Sequence, residues 1–246
     1  MTTATPADQR RLLDLQGLDT KLDQLAHRRA ALPQHAVIAE LDSQIADLDT
    51  AIATSRTAAS DLRRELTKAE SDVQQVRDRA ARDQARLDSG SGSAKDLQAL
   101  QSEMVSLGRR QSELEDVEIE VMERLEAHED ALSGLTTAHA ALLNRRAEVV
   151  AERDAELATI DAEAADVKVR RDAMAAPLED RLIQIYDRLR GRLGGVAVAA
   201  LRHGRSEGSG LPVPGSELAV IKATPEDQLV YCEDSGRILV RGEDAF

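Results

Sequence analysis

The stretch that decides the fold runs from Ile38 to Leu87 and reads IAELDSQIADLDTAIATSRTAASDLRRELTKAESDVQQVRDRAARDQARL. With Ile38 as position a of a seven-residue repeat, fifteen residues occupy the a and d positions: Ile38, Leu41, Ile45, Leu48, Ile52, Ser55, Ala59, Leu62, Leu66, Ala69, Val73, Val76, Ala80, Asp83 and Leu87. All except Ser55 and Asp83 are apolar. A strict spacing of this kind is typical of a coiled coil, so the stretch predicts a long helix paired with another helix.

The repeat stops at Asp88-Ser-Gly-Ser-Gly-Ser93 and resumes at Leu97. Ser93-Ala-Lys-Asp96 fits a capping box, in which the serine side chain accepts a free backbone N–H at the start of a helix. The apolar spacing then continues to Val149, shifts register and extends to Met174. A Ser-Gly loop between two such helices predicts an antiparallel coiled-coil hairpin that turns near residues 88–94.

A shorter leucine stripe precedes this hairpin and consists of Leu15, Leu18, Leu22, Leu25 and Leu32. Pro33 predicts a break after it, because proline removes a helical hydrogen bond and disfavours helical geometry in the preceding residue. Antiparallel geometry then places the first helix beside residues 150–176. A further short helix is predicted over residues 177–191, so residues 1–194 form the predicted helical coiled-coil hairpin domain.

Residues 195–246 change from helical to alternating periodicity, which predicts strands around Val196–Leu201, Gln228–Cys232 and Arg237–Arg241. The core predicted for this small module consists of Val196, Val198, Leu211, Leu218, Ile221, Leu229, Tyr231, Ile238 and Val240. Because this core is small, we expect the module to pack against the helices as well. The predicted fold class is mostly α, with a long antiparallel coiled-coil hairpin and a small C-terminal β-rich module.

Two segments of this module have the spacing of metal-binding knuckles, Ser206-Glu-Gly-Ser209 and Cys232-Glu-Asp-Ser235-Gly-Arg-Ile-Leu-Val-Arg241. They resemble the two C-x-x-C knuckles of a zinc ribbon. With Lys95-Asp-Leu-Gln-Ala-Leu100 after the hairpin turn, the chain resembles the bacterial family of coiled-coil proteins with a C-terminal C4-type zinc ribbon. The resemblance implies that Ser206, Ser209, Cys232 and Ser235 occupy the positions of the zinc ligands in relatives with all four cysteines.

Three of these four positions are serine. Thiolates make a four-cysteine zinc site tight, and neutral hydroxyl groups are poor substitutes at neutral pH. We therefore predict a degenerate zinc-ribbon-like module with no metal and no other cofactor. Its serine side chains should hydrogen-bond within the knuckle turns instead.

The composition of the chain limits the classes of protein to which it can belong. Three aromatic residues among 246 are too few for a large globular core, and 31% of the residues are charged, as in long solvated helices. A formal net charge of −13 opposes sequence-blind binding to nucleic acid or anionic lipid. The absence of a membrane-length apolar run and of a signal-like N-terminus predicts a cytoplasmic protein, and the single cysteine excludes an internal disulfide.

Basic residues cluster at two places within this acidic chain. One cluster runs from Arg181 through Arg188, Arg190 and Arg192 to Arg202 and Arg205. The other, near the hairpin turn, comprises Arg77, Arg79, Arg82, Arg86, Lys95, Arg109 and Arg110, and in the first cluster Arg202 and Arg205 flank the first knuckle. The residues near the turn, together with Arg202 and Arg205, are the predicted partner-binding sites. The alternative is that they are ordinary solvated flanks of a coiled coil, neutralised by neighbouring acids. Within the hairpin seam, His128 should face Ser55 in a polar layer that fixes register.

No acid, base and nucleophile converge in any recognisable motif, so an enzyme is not expected. The predicted function is a non-enzymatic adaptor or chaperone-like scaffold that binds protein partners as a monomer or homodimer. The family resemblance implies a link to transcription or RNA, because relatives have been associated with sigma-factor and nucleic-acid binding. The alternatives are a nucleic-acid-binding module that uses the arginines and a purely structural coiled-coil dimer.

Overall fold

The computed structural model describes residues 3–246. Within that range the chain forms the helices α1 (Pro6–Ala30), α2 (Gln34–Asp88), α3 (Ala94–Ala175), α4 (Asp180–Arg192) and α5 (Gly215–Ala223). The strands are β1 (Val198–Arg202), β2 (Arg205–Ser206), β3 (Val230–Tyr231) and β4 (Ile238–Arg241). These elements belong to two compact units. The hairpin unit is Ala36–Val150, and the base unit combines Met1–His35 with Ala151–Phe246.

In the hairpin unit, α2 packs antiparallel to the first part of α3. All fifteen heptad positions of α2 are buried or half-buried, with Val73 only 1% exposed. Ion pairs between the helices run in opposite directions along the two segments, from Asp42 with Arg146 through Arg63 with Glu129 to Arg79 with Glu103. The predicted antiparallel coiled-coil hairpin is therefore confirmed.

The turn of the hairpin lies between the end of α2 at Asp88 and the start of α3 at Ala94. Ser93 Oγ accepts the N–H of Asp96 at 3.3 Å, and Asp96 Oδ2 accepts both the N–H and the hydroxyl of Ser93. These side-chain and backbone hydrogen bonds from Ser93 lower the pKa of Asp96. The predicted capping box is confirmed.

The polar layer in the hairpin seam differs from its prediction. Ser55 is buried and its hydroxyl donates to the backbone carbonyl of His128 at 3.5 Å, whereas the His128 side chain is exposed. The register is therefore as predicted, but the imidazole takes no part in the layer. The small side chain of Ser55 fits in the seam and reaches the backbone of the facing helix. The larger imidazole ring of His128 lies outside the seam.

In the base unit, α1 packs against the last part of α3, as the leucine stripe predicts. Leu25, Leu32, Ile160 and Val167 form one buried cluster. Ion pairs on its flank join Arg28 to Glu156 and Arg29 to Asp161, each at 3.2 Å. The chain leaves the helical conformation between Ala30 and Gln34, around Pro33.

The short helix α4 begins at Asp180, three residues later than the Pro177 start that the sequence predicts. Residues 176–179 form a turn instead, and the backbone of Glu179 is extended at ψ 136°. Leu178 in this turn is 6% exposed because it packs in the core. The helix therefore starts later than predicted, because the extended backbone of Glu179 makes that residue the N-cap.

The C-terminal segment forms a mixed sheet in the order β2-β1-β4-β3. Strands β1 and β4 are parallel, and each has an antiparallel neighbour, β2 and β3 respectively. The short strand β2 and the helix α5 were not predicted. Two residues predicted for the core lie outside it, since Leu211 is 60% and Tyr231 42% exposed.

The sheet shares its core with the helices of the base unit, as its small size led us to expect. Ala197, Val198, Ile238 and Val240 pack in one buried cluster with Leu12, Leu15, Leu182, Tyr186 and Leu189 of the helices and with Leu178 of the turn before α4. Gln16 of α1 bridges the two parts, because its side-chain carbonyl accepts the N–H of Ala197 at 2.7 Å and its amide donates to the carbonyl of Gly195. The division of the chain at residue 194 stays a prediction, although this core joins segments on both sides of it.

Candidate interaction surfaces

The two knuckle segments form tight turns at one end of the sheet. The N–H of Gly210 donates to the carbonyl of Ser206 at 2.8 Å, and the N–H of Gly236 donates to the carbonyl of Cys232 at 2.8 Å. Gly210 and Gly236 have φ of 69°, the left-handed conformation that glycine adopts without strain. The backbone therefore turns at both predicted knuckles.

The side chains of these turns divide into two kinds. Ser209 Oγ accepts the N–H of Leu211 at 3.3 Å and Ser235 Oγ accepts the N–H of Arg237 at 3.5 Å, as predicted for knuckle serines. Ser206 departs from that prediction, because its hydroxyl is buried without a hydrogen-bond partner among the described residues. Cys232 is a buried free thiol. The structure therefore places one orphaned hydroxyl and one thiol in the interior of the module.

These residues do not fit a four-thiolate zinc site. Cys232 is the single cysteine of the chain, and hydroxyl groups bind zinc poorly when neutral. Over residues 3–246, no three side chains of histidine, cysteine, aspartate or glutamate converge in a way that could hold a metal ion. The apolar packing of the module consists of its share of the core with the helices and of a second buried cluster that includes Leu201, Val213, Ile221 and Leu239.

We expect Ser206→Ala to raise the free energy of unfolding by about 1 kcal/mol, because a buried hydroxyl without a partner loses its hydration on folding and gains nothing in return. The matched change Ser209→Ala removes an acceptor on an exposed residue and should leave stability unchanged or slightly lower. Urea unfolding of both variants measures the difference. A clear loss of stability in Ser206→Ala would contradict the assignment of an orphaned hydroxyl.

Among residues 3–246, four of the seven basic residues near the hairpin turn form ion pairs and three do not. Arg77 and Arg79 form ion pairs across the hairpin, with Glu115 at 2.7 Å and Glu103 at 2.6 Å. Arg109 and Arg110 both pair with Glu113, at 3.8 Å and 3.5 Å.

The other three predicted cations at this end, Arg82, Arg86 and Lys95, make no ion pair in the described part of the chain. All three are exposed. We call them the free cations of the hairpin end. In addition to the capping-box hydrogen bonds, Arg86 contributes to the lowered pKa of Asp96, and Asp88 lies at the same end, so these cations stand among acidic side chains.

An open groove of about 540 Å³ lies at the same end of the hairpin unit. It is lined by Gln84, Leu87, Asp88, Leu97, Gln101, Met104 and Val105. Val105 is 76% exposed, the most exposed large apolar side chain among those of residues 3–246. The hairpin end therefore combines apolar contact area with unpaired positive charge.

The two arginines predicted at the first knuckle are engaged within the module. Arg202 forms ion pairs with Glu207 at 3.3 Å and Asp244 at 3.5 Å. Arg205 donates to the carbonyl of Gly210 at 2.8 Å, which braces the first knuckle turn. Both side chains are exposed; Arg202 is paired with two acids, whereas Arg205 donates to a carbonyl and makes no ion pair among the described residues.

Sequence reasoning missed a buried polar network in the base unit. Asp19 is 4% exposed and accepts the hydroxyl of Tyr186 at 2.7 Å and the guanidinium of Arg171 at 3.1 Å. Burial and the neighbouring Asp19 carboxylate both raise the pKa of Tyr186, so its hydroxyl stays a donor. The available signal was the position of Asp19, which lies four residues after Leu15 on the apolar face of α1.

Comparison with known proteins shows which family and which proteins this chain resembles. The family model of the CT398-like coiled coil hairpin domain matches residues 15–194. An uncharacterized protein of Mycobacterium tuberculosis is 37% identical over 240 residues, which cover 96% of each chain. A solved structure from Mycobacterium smegmatis matches with a TM-score of 0.85 and 31% identity, over 98% of this chain and 100% of the other.

The structure of CT398 from Chlamydia trachomatis has a TM-score of 0.71 and 18% identity, over 96% of this chain and 98% of the other, and so shares the fold. Within residues 3–246, no helix has the length and apolar character required to cross a lipid bilayer. The family model thus covers the whole hairpin unit and, beyond it, most of α1 and all of α4. This protein belongs to the family with the CT398-like coiled coil hairpin domain.

Proposed function

We propose that this protein is a non-enzymatic, cytoplasmic scaffold that binds an acidic protein partner at the end of its coiled-coil hairpin. The observation that carries the proposal is the presence of three free cations, Arg82, Arg86 and Lys95, beside the groove that contains Val105. Protein interfaces combine a desolvated apolar centre with a charged rim that steers encounter, and this end supplies both.

The distribution of ion pairs supports the choice of this surface. Along the hairpin unit, most cations are matched by an acid on the same or the facing helix, which leaves little charge to attract a partner. The exceptions away from the hairpin end are Arg56 and Lys68, which are exposed and make no ion pair in the described residues. These two residues provide a matched control for the free cations.

The double substitution Arg82→Glu and Arg86→Glu should reduce partner recovery about tenfold or more, because reversing charges in a complementary interface adds repulsion to the lost attraction. The control Arg56→Glu with Lys68→Glu changes the net charge equally and should leave recovery unchanged. Quantitative mass spectrometry of proteins cross-linked through a photoreactive residue at Val105 measures both variants side by side.

A nuclease-treated sample separates protein partners from nucleic acid. The proposal expects recovery of the same proteins after nuclease digestion. Equal recovery with the two double variants would contradict binding at the hairpin end, and recovery that vanishes with nuclease would favour a nucleic-acid-binding role instead. Circular dichroism at 222 nm checks that both variants keep their helices.

A further inference from the structure

A second groove lies in the base unit between helix α5 and the edge strand β3. It encloses about 380 Å³, and its lining includes Glu217, Val220, Leu229, Tyr231 and Glu233. We call it the α5–β3 groove. Two of the residues that line it are glutamates and none is lysine or arginine, so the groove is acidic as well as partly apolar.

Glu217 is the unusual member of this lining, because it is 5% exposed. Its Oε1 accepts the N–H of Glu233 at 2.9 Å. Its Oε2 is buried and has no hydrogen-bond partner among the described residues. Burying a carboxylate oxygen without a hydrogen-bond donor raises the free energy of the folded protein. No strand of the sheet needs an acceptor at this position. The unpaired oxygen therefore points to a donor that arrives from outside the module.

The walls of the groove are apolar and open. Val220 is 64% exposed on α5, and Tyr231 is 42% exposed on β3. Among residues 3–246, strand β3 pairs with β4 and forms one edge of the sheet, and a bridge between Thr3 and Gln228 lies just before it. An exposed edge strand beside apolar pockets is a common docking place for an extended peptide, since the backbone supplies affinity and the pockets supply specificity.

We propose that the α5–β3 groove binds an extended segment of a partner protein, which inserts a lysine or arginine toward Glu217 and rests flanking apolar side chains on Val220 and Tyr231. Lysine and arginine have long apolar stems that suit these walls and terminal donors that reach a covered oxygen. Arginine also pairs with carboxylates through two parallel hydrogen bonds. The proposal does not depend on partner binding at the hairpin end.

The test uses the full chain and a phage-displayed library of random dodecapeptides. Peptides that bind the groove should be enriched in a basic residue next to apolar residues and should be recovered poorly on a Val220→Arg protein, whose new side chain supplies its own cation to the groove. The best peptide is then synthesised with a fluorescent label. Its binding should weaken about tenfold or more when the basic residue is replaced by citrulline or acetyl-lysine.

Glu217→Gln should weaken the unmodified peptide to a similar degree, while Glu243→Gln, on an exposed residue outside this lining, should not. Glutamine keeps an oxygen to accept the Glu233 N–H, so the fold should survive, and a thermal melt checks it. The Glu233 amide should shift in the NMR spectrum when the peptide is added. Equal recovery of peptides on wild-type and Val220→Arg protein, or a selected consensus without a basic residue, overturns the proposal.

Discussion

Asp19→Ala should lower the free energy of unfolding of the base unit by about 3–5 kcal/mol, because it breaks a buried network from one side. The change leaves the guanidinium of Arg171, only 23% exposed at its side chain, and the buried hydroxyl of Tyr186 without their shared acceptor. Arg190, which approaches the same carboxylate at 3.9 Å, loses a neighbour too. Urea unfolding followed by circular dichroism measures the loss.

The matched control is Asp23→Ala on the same helix. Asp23 pairs with Arg190 at 2.6 Å, but its side chain is 54% exposed, so its removal should lower stability by less than about 1 kcal/mol. The contrast between the two aspartates separates burial from simple ion pairing. Similar losses in both variants would show that Asp19 does not anchor the base unit.

Val73→Asp should destabilise the hairpin unit by about 4 kcal/mol, since it places a carboxylate in a seam where the side chain is only 1% exposed. The same substitution at Val117, which is 48% exposed on α3, introduces the same charge outside the seam and should lower stability by less than about 1 kcal/mol. Hydrogen exchange of the hairpin helices, compared between the two variants, localises the effect. Comparable exchange in both variants would contradict the packed seam.

The coiled coil was predictable because its signal is local and repeated. Each heptad position from Ile38 to Leu87 depends on its neighbours at seven-residue spacing, and the structure buries or half-buries every one of them. The capping box at Ser93 and Asp96 was predictable for the same reason, since it involves residues three apart. Pro33 marked a break through its own covalent geometry.

The small sheet was predicted less well because its pairings are not local. Around β3, Leu229 and Tyr231 were expected inside; Leu229 is half-buried and packs against the core, but Tyr231 is 42% exposed. The structure instead buries Val230 and Cys232, which are 8% and 6% exposed. A shift of one residue exchanges the two faces of a strand, and nothing in so short a strand specifies which face is inside.

The sites were hardest to predict because they depend on which charges remain unpaired. The seven basic residues near the turn look alike in the sequence, yet glutamates on the facing helix or on the same helix pair with four of them, and Arg82, Arg86 and Lys95 make no ion pair in the described residues. The α5–β3 groove gave no signal at all, because Gly215–Ala223 lacks a clear apolar stripe and was not predicted as a helix. The orphaned oxygen of Glu217 is visible only in three dimensions.

The antiparallel hairpin is the central claim, and an intramolecular distance tests it most directly. Asp42 and Arg146 are 104 positions apart in sequence but form an ion pair across the hairpin. With spin labels at these two positions, in a protein whose Cys232 is replaced by serine and diluted with unlabelled chains, dipolar broadening should report a separation below about 20 Å, consistent with helix axes about 8–10 Å apart. Absence of dipolar broadening would contradict the hairpin, since in one continuous helix at about 1.5 Å per residue the labels would lie more than about 100 Å apart.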